Sequence, residues 1–487
     1  MHQSNVLSWR LLALATAAAL TLAGCSKEEP KPAEPVKSAE PAKPAEPPPV
    51  VVKIGHAGPL TGNIAHLGKD NENGVRLAID QANAKGIMLD GKKVIFELMG
   101  EDDQADPKVG ATVAQKLVDA KVAGVVGHLN SGVTIPASEI YNRAGIPMIS
   151  GSATNPKVTE NGYKTVFRVV GRDDQQGPAV AQYLASEVKP RTVAIIDDAT
   201  AYGEGLANEV EKSLKAAGIK VLPREKGTDK TNDWKAVLTK VKGKKPDAIF
   251  YGGMDATGGP LIKQGKELGI KVVYAFGDGA CTDEMGKLAG EAAEGLLCSQ
   301  AGIPSQAASK SFLEAFNAKY GDVKQYAPFT YDAANLLITA MQKANSADPA
   351  KYLPELAKIS MDGATGKIEF DDKGDRKDAE ITIFTLKGGK VEPVAVIKGG
   401  TSTKFADFIA KAGSAASAGA DLAKEAAKDV SKDAGKAVEA VKEAGKDAMS
   451  GAKEMGKEAI KDAKEMGKEI AKDAGKAVEA AKEAVKK

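Results

Sequence analysis

The chain has 487 residues, which exceeds one ordinary hydrophobic core and indicates two or three domains. Lys and Arg number 67 against 65 Asp and Glu, a net charge of +2, and aromatic residues make up 5%, so the composition argues against a nucleic-acid-binding protein. Three Cys and four His exclude multi-cysteine zinc or iron–sulfur scaffolds and leave little material for metal catalysis.

The first 25 residues indicate export and lipid attachment. Arg10 precedes the apolar run Leu11–Leu20, which is typical of a cleavable signal peptide rather than a spanning helix. Residues 22–25 read Leu-Ala-Gly-Cys, which resembles the bacterial lipobox, in which the cysteine becomes the lipidated first residue. We expect residues 1–24 to be a signal peptide and Cys25 to anchor the chain in the membrane, at the extracytoplasmic face of the cell envelope. An ordinary signal with an incidental cysteine is the alternative.

Residues 25–49 are predicted to form a tether. Eight prolines occupy the twenty-four positions from Ser26 to Pro49, and nearly all the others are Ala, Lys or Glu. Such a stretch cannot bury a core and favours extended polyproline-II backbone. At about 3.1 Å per residue, it would hold the next domain up to roughly 75 Å from the lipid.

Between Val50 and about Gly400, short apolar runs typical of strands alternate with amphipathic helical stretches. This alternation predicts an α/β fold with parallel sheets covered on both faces, and about 350 residues suffice for two Rossmann-like lobes. Asp106 before Pro107 indicates a capped helix start. The predicted strands are Val51–His56, Val94–Met99, Val122–Leu129, Met148–Ser150, Val166–Val170, Thr192–Asp197, Lys220–Leu222, Ala248–Tyr251, Val272–Phe276, Gly295–Cys298, Lys367–Asp371, Glu380–Leu386 and Val394–Ile397.

No catalytic signature fits this region. Gly62–Asp70 resembles a phosphate-binding loop, but its spacing is one residue too long, and Asp70 replaces the magnesium-binding Ser or Thr. Asp102 and Asp103 form an acidic pair, but neighbouring strand residues face opposite sides of a sheet, which favours a structural or capping role. We expect no enzymatic activity, no cofactor and no metal.

Beyond a linker expected over residues 401–420, residues 421–487 form a repetitive tail rich in Ala, Lys and Glu. Lys432–Ala440 recurs verbatim at Lys472–Ala480, and Lys453–Glu458 recurs eleven residues later, a spacing of three helical turns. Internal glycines each cost about 1 kcal/mol, so the amphipathic helix is marginal in water. The tail resembles late-embryogenesis-abundant repeats and would gain helix on a lipid surface or an envelope component. A solvated charged helix without a partner is the alternative.

A series of short motifs runs in order along Val51–Gly400. Its members are Gly58–Gly62, Gly127–Thr134, Pro147–Pro156, Asp173–Gly177, Tyr202–Gly205, Tyr251–Gly253, Gly277–Gly279 and Asp372–Asp375. In order and spacing, these motifs resemble those of the branched-chain amino-acid-binding proteins of bacterial ABC importers. The resemblance implies the type I periplasmic binding fold, with a multi-strand hinge between one lobe of about 50–171 and 300–374 and another of about 172–299 and 375–400. It also implies Leu, Ile or Val as the ligand and permease transmembrane subunits as the partner.

The resemblance assigns the binding of a zwitterion to strand-to-helix loops. Ser131 and the N–H of Thr154 would bind the α-carboxylate, while the Ser152 carbonyl and the Thr154 hydroxyl, with Ala153 between them, would accept from the ammonium. Asp278, where better-known members carry Glu, would be the countercharge of the ammonium. These positions lie beyond the carboxyl ends of strands, where open α/β sheets bind ligands. Helix capping and a turn are the alternative roles.

The expected side-chain pocket departs from that of the family. Three positions that hold aromatic rings in the family hold Leu67, Tyr202 and Met254 here, so only Tyr202 keeps the ring. The pocket stays apolar and adaptable, which favours an aliphatic ligand and leaves the choice among amino acids open.

The cysteines depart from the family as well. Members with a disulfide in the first lobe would carry cysteines near Ala105 and Asn130, and both are missing. Cys281 and Cys298 remain, in a compartment expected to be oxidising. We expect them to form a disulfide worth about 3 kcal/mol through loop closure. Two buried free thiols are the alternative.

Together these features predict a lipid-anchored receptor that captures an aliphatic amino acid and delivers it to an ABC permease. An amino-acid-sensing ectodomain that signals by lobe closure without transport is the runner-up. A third hypothesis is an envelope structural protein in which the tail acts alone.

Overall fold

The computed structural model of the protein describes residues 48–411. The predicted signal peptide, the predicted lipidation site Cys25, the predicted tether up to residue 47 and the repeat tail lie outside the described residues. Within residues 48–411, no helix has both the length and the apolar run that a membrane span requires.

Strands and helices alternate along most of this region. The strands are β1 (Val50–Gly58), β2 (Met88–Leu89), β3 (Lys92–Asp102), β4 (Gly124–Gly127), β5 (Met148–Ser150), β6 (Val166–Arg168), β7 (Thr192–Asp197), β8 (Lys220–Val221), β9 (Glu225–Lys226), β10 (Ala248–Gly252), β11 (Val273–Phe276), β12 (Leu297–Gln300), β13 (Ser360–Gly363), β14 (Gly366–Glu369), β15 (Ile381–Lys387), β16 (Lys390–Lys398) and β17 (Thr401–Lys404). The α-helices are α1 (Ala65–Lys85), α2 (Pro107–Asp119), α3 (Ser131–Arg143), α4 (Lys157–Glu160), α5 (Asp173–Tyr183), α6 (Ala201–Ala216), α7 (Lys235–Gly243), α8 (Asp255–Glu267), α9 (Glu284–Ala289), α10 (Lys310–Tyr320), α11 (Ala327–Lys343) and α12 (Pro349–Ala357).

The first sheet has six strands in the order β2-β3-β1-β4-β5-β6, parallel except for the short pair β2–β3. Its inner strands are buried on both faces, because successive residues pack into different cores. Val125 and Met148 join a core with α2 and α3, while their neighbours Val126 and Ile149 join a core with α1 and α11. The continuous apolar runs of these strands follow from this double burial.

The second sheet has nine strands in the order β17-β16-β15-β12-β11-β10-β7-β8, with β9 also paired to β7. Its central strands run parallel. β12 pairs antiparallel with β15, which starts the meander β15-β16-β17. The second sheet therefore pairs β12 with a strand that follows about eighty residues later in the chain, β15.

The chain passes between the two sheets three times, after β6, after β12 and between β14 and β15. After β12 it returns to the first sheet, where α11 packs along α1. The predicted fold class, two α/β lobes with parallel sheets joined by several hinge segments, is confirmed. β17 and a helical segment at 405–411 continue beyond residue 400, where we expected a linker to begin.

Local sequence signals explain several helix starts. The Asp106 carboxylate accepts hydrogen bonds from the N–H groups of Lys108 and Val109, with Pro107 at the first helical position of α2. Thr200 caps α6 in the same way. These caps fix where the loops at the carboxyl ends of the strands give way to helices.

Candidate functional site

The site lies where loops from both sheets meet. Ser131 is the first residue of α3 after β4, and Ser152 follows β5, both in the first lobe. Asp278 follows β11, and Met254 precedes α8, both in the second lobe. All four, with Tyr202 of α6, line a small cavity of about 10 Å³.

A larger cleft of about 640 Å³ lies beside this cavity and is lined by both lobes. The first lobe contributes residues at 61–64, 104, 105, 107, 130, 132 and 133, and the second contributes residues at 198–202, 228–230, 254 and 256. Asn130, Tyr202 and Met254 line both spaces. The arrangement gives a polar inner cavity that leads into a wider outer cleft.

Two serine hydroxyls tie the loops of the first lobe together. The Ser131 Oγ accepts a hydrogen bond from the backbone N–H of Asn155 at 3.2 Å. The Ser152 Oγ donates to the Leu129 carbonyl at 3.2 Å and accepts from the Asn71 amide at 3.4 Å. Ser131 is not the helix cap, since Asn130 takes the N-cap position of α3.

Three residues expected at the site line neither the cavity nor the cleft. Ala153 and Thr154 are buried, and their carbonyls accept hydrogen bonds from Arg168 and from the N–H of Asp173. Leu67 is fully buried in the core that also contains Tyr202 and Met254. From the expected set, Ser131, Ser152, Tyr202, Met254 and Asp278 line the cavities, while the Thr154 hydroxyl is buried and has no hydrogen-bond partner among residues 48–411.

Asp278 is a buried carboxylate held by three neutral donors. Its Oδ1 accepts from the Gln176 amide at 2.8 Å and the Tyr202 hydroxyl at 2.9 Å, and its Oδ2 accepts from the Tyr326 hydroxyl at 2.7 Å. Burial raises the pKa of this carboxyl, and the three hydrogen bonds only partly offset that rise. Among residues 48–411, no ion pair supplies a positive charge to it.

A second buried acid, Asp173, lies near Asp278 at the start of α5. Burial raises the pKa of Asp173 well above its usual range, and the negative charge of Asp278 adds to the rise. The nearby Thr154 side chain and the charge of Arg168 act in the opposite direction. A cationic ligand group next to these two acids would favour their charged forms.

A buried ion pair supports the loop that carries Ser152. Arg168 is completely buried at the end of β6, and its Nε donates to Asp375 at 2.7 Å. Its Nη1 donates to the carbonyls of Ala153 and Asn155 at 3.0 and 2.8 Å. Asp375 also accepts from Arg172 at 2.7 Å. One cluster of hydrogen bonds therefore joins the hinge segment after β6, the hinge segment between β14 and β15, and the loop that carries Ser152.

The sequence reasoning missed Tyr326 and Gln176, which donate to Asp278. Tyr326 owes its position to Asp70, which is buried in α1 and whose carboxylate accepts four backbone N–H groups from residues 324–327 at 2.8–2.9 Å. Pro328 marks the start of α11 in the sequence, but no local signal shows that the residue before this helix reaches Asp278.

Direct contacts join the two lobes around the cavities. The His66 Nε2 of α1 lies 2.8 Å from the Asp255 Oδ2 of α8. The Asn155 amide donates to the Ala201 carbonyl at 2.7 Å. With the bond between Tyr326 and Asp278, these contacts hold the lobes against each other.

The acidic pair Asp102 and Asp103 has structural partners. Asp102 accepts from the N–H groups of Leu60 and Gln104. Asp103 is fully buried and lies 2.7 Å from the His128 Nδ1. Neither acid lines the cavity or the cleft.

The disulfide lies close to the site. Cys281 and Cys298 are bonded, with a Cα–Cα distance of 5.3 Å. The bond joins the turn that carries Asp278 to the neighbouring strand β12.

Comparison with known proteins agrees with this geometry. Residues 51–390 match the family described as periplasmic binding protein. A leucine-, isoleucine-, valine-, threonine- and alanine-binding protein of Pseudomonas aeruginosa is 35% identical over 339 residues, which cover 68% of this chain and 89% of the relative. A leucine-specific-binding protein of Salmonella typhimurium is 36% identical over 335 residues, covering 68% and 90%.

Solved structures show the same architecture. A leucine-binding protein of Thermotoga maritima has a TM-score of 0.67 and 30% identity, covering 72% of this chain and 99% of that structure. A branched-chain amino acid transporter substrate-binding protein of Streptococcus pneumoniae, in complex with isoleucine, has a TM-score of 0.65 and 29% identity, with the same coverage.

Proposed function

The chain belongs to the periplasmic binding protein family, and from this we propose that it is an extracytoplasmic receptor that captures an aliphatic amino acid between its lobes and delivers it to an ABC importer. The family and the relatives named above are solute-binding proteins, not enzymes.

The observation that carries the proposal is the environment of Asp278. This buried carboxylate faces the first lobe, and within residues 48–411 its side-chain hydrogen bonds come from neutral donors. Removing a carboxylate from water is costly unless an opposite charge accompanies it. The α-ammonium of an amino acid would supply that charge and would stabilise the closed arrangement of the lobes.

The other end of a zwitterion needs hydrogen-bond donors. Ser131 begins α3, so its hydroxyl lies at the positive end of a helix dipole, where a carboxylate is stabilised. Ser131 and Ser152 line the small cavity together with Asp278. Donors in one lobe and an acceptor in the other suit a ligand with a carboxylate and an ammonium on one carbon.

The surroundings favour an aliphatic side chain next to this head group. Leu129, Met254 and the ring of Tyr202 line the small cavity. Met is adaptable, so the same walls suit aliphatic side chains of different shape. The names of the Pseudomonas and Salmonella relatives point to leucine first, and then to isoleucine, valine, threonine and alanine, as the ligands to test.

The ligand must enter while the lobes are apart. The small cavity holds about 10 Å³, which is only about the space of one water molecule. The contacts across the cleft therefore have to open and re-form around the amino acid. After hinge closure of this kind, the ligand-bound receptor has a different shape from the empty one, and a permease can recognise that shape.

We also propose that Cys25 carries the lipid anchor and that residues 25–49 let the receptor reach the permease. The lipobox and the proline-rich composition support this. The role of residues 421–487 on a lipid surface or an envelope component stays a prediction.

A calorimetric screen of the twenty amino acids against the full-length protein tests the proposal. We expect Leu, Ile or Val to bind with Kd of about 1 µM or tighter, about −8 kcal/mol. Absence of heat and of a thermal shift with every aliphatic amino acid would refute it. Uptake by proteoliposomes that contain the permease separates transport from sensing.

A further inference from the structure

Two buried polar side chains lie in a row behind Asp278, Gln176 of α5 and Ser299 of β12. The Gln176 Nε2 donates to the Asp278 Oδ1 at 2.8 Å, and the Ser299 Oγ donates to the Gln176 Oε1 at 2.9 Å. Gln176 and Ser299 are fully buried, and neither lines the small cavity or the larger cleft. Ser299 can therefore act on a ligand only through Gln176 and Asp278.

The two hydrogen bonds fix which end of the Gln176 amide faces Asp278. An ionised carboxylate only accepts hydrogen bonds, so the amide nitrogen has to face it. The Ser299 hydroxyl donates to the amide oxygen on the opposite side and so selects the same direction. In a reversed amide, the oxygen would face the Asp278 carboxylate, and two acceptors would repel each other.

Ser299 has a second acceptor within reach, the Phe276 carbonyl of the neighbouring strand, at 3.4 Å. O–H···O hydrogen bonds are strongest at about 2.5–3.0 Å. The 2.9 Å contact with Gln176 lies in that range, and the contact with Phe276 does not. A serine that only satisfied its own sheet would favour the neighbouring carbonyl. The hydroxyl of Ser299 is instead used to hold the amide.

We propose that Ser299 is a positioning residue for ligand binding, which holds the Gln176 amide with its nitrogen towards Asp278 and so keeps that carboxylate oriented and ionised for the ligand's ammonium. The inference rests on the proposed function, because Asp278 has to be the residue that meets the ammonium. Without the hydroxyl, the buried Gln176 Oε1 would lose its donor, and the amide would be free to reverse. Asp278 would then lose one of its three side-chain donors in part of the molecules.

The loss of this donor should change the charge of Asp278. Hydrogen bonds, including the one from Gln176, lower the pKa of Asp278 against the effect of burial, so a weaker bond raises that pKa further. The charged form of Asp278 is then lost at a higher pH, and the loss of affinity is largest in acid. Replacing Ser299 leaves in place the other titratable groups that face Asp278 from the elements around it, namely Asp173 of α5, Tyr202 of α6 and Tyr326 before α11.

Ser299→Ala removes the hydroxyl and little else. We expect it to weaken leucine binding about tenfold at about pH 5.5 and less at about pH 8, measured by calorimetric titration of the full-length protein. Other pH-dependent groups cancel in the ratio of its Kd to that of the unaltered protein. Ser138→Ala is the matched control, because Ser138 is equally buried and its hydroxyl donates to the Ile135 carbonyl within α3. Its Kd should equal that of the unaltered protein at both pH values.

Gln176→Leu distinguishes an action through the amide from a general loss of stability. Since Ser299 acts through Gln176, adding Ser299→Ala to Gln176→Leu should cause no further loss of affinity. Additive losses, or a Kd ratio for Ser299→Ala that is the same at both pH values, would overturn the assignment of Ser299 and leave the proposed function standing.

Ser299→Thr and Ser299→Val differ from each other only by a hydroxyl and a methyl, so this pair provides the comparison if Ser299→Ala or Gln176→Leu does not fold. We expect Ser299→Thr to bind leucine like the unaltered protein and Ser299→Val to bind it about tenfold more weakly at about pH 5.5. Equal affinities of the two variants would contradict the proposal. If the unaltered protein binds no aliphatic amino acid, the proposed function fails and this inference fails with it.

Discussion

Asp278 brings together the polar contacts of the site, and its negative charge can be removed with little change of shape. In Asp278→Asn the bound ammonium loses its countercharge while the side chain keeps its size. We expect the affinity for the preferred amino acid to fall by about 2 kcal/mol or more, roughly 30-fold, in calorimetric titration.

Asp362→Asn is the matched control, because Asp362 is exposed on the β13–β14 hairpin away from the cavities. Its affinity should equal that of the unaltered protein. Unchanged binding by Asp278→Asn would show that Asp278 only shapes the turn after β11.

At the scale of single residues, the sequence predicted those site residues that lie in loops directly after strands. Ser131, Ser152 and Asp278 follow strand ends, and such positions converge in any open α/β sheet. Leu67 was expected in the pocket, but consecutive helix residues point about 100° apart, and its neighbour His66 makes the contact across the lobes. Tyr326 could not be predicted, because it reaches Asp278 only through the packing of α11 on α1.

Among the elements, the hinge depends on Arg168 at the end of β6. Arg168→Ala would leave Asp375 partly unpaired and would free the carbonyls of Ala153 and Asn155. Breaking a buried ion pair is strongly destabilising, so we expect the free energy of unfolding to fall by about 3–5 kcal/mol in urea denaturation.

Arg143→Ala provides the comparison, because Arg143 pairs with Glu139 at 3.8 Å on the exposed face of α3. Exposed pairs contribute at most about 1 kcal/mol. Equal losses for the two variants would contradict the structural role of the buried cluster.

We expect the contact between α1 and α8 to make lobe closure sensitive to pH. Burial opposes protonation of His66, but the hydrogen bond and charge of Asp255, with the charges of Glu284 and Asp70, outweigh it and raise the pKa of His66. Asp255 is itself buried and accepts from Thr282. A raised pKa gives stabilisation that is fully present below the ordinary value of about 6.5 and is lost as the pH rises through the raised value.

We therefore expect amino-acid affinity to be severalfold weaker at about pH 8 than at about pH 6, measured by titration calorimetry. In His66→Gln this difference should shrink, because the titrating partner of Asp255 is gone. An identical pH profile in that variant would assign the dependence to another group.

The disulfide beside Asp278 closes a loop between cysteines 17 residues apart. Replacing Cys281 and Cys298 together by Ala should lower the free energy of unfolding by about 3 kcal/mol, because the unfolded chain regains entropy. Chemical denaturation measures the effect. Equal stability of the double variant would mean that the bond contributes nothing to the folded state.

At the scale of the whole molecule, the alternation of strands and helices was sufficient to predict two parallel α/β lobes. The order of the strands was not predictable from this pattern. β12 and β15 pair although about eighty residues separate them, and α11 returns to α1 across the hinge. Such long-range pairings are set by tertiary packing, which local periodicity does not contain.

A crystal structure of the complex with the tightest-binding amino acid tests most directly whether the ligand bridges the lobes at Asp278 and Ser131. We predict a ligand between the lobes, with its ammonium nitrogen about 3 Å from the Asp278 carboxylate and its carboxylate at the Ser131 hydroxyl. A ligand outside the cavity, or one whose ammonium does not reach Asp278, would contradict it.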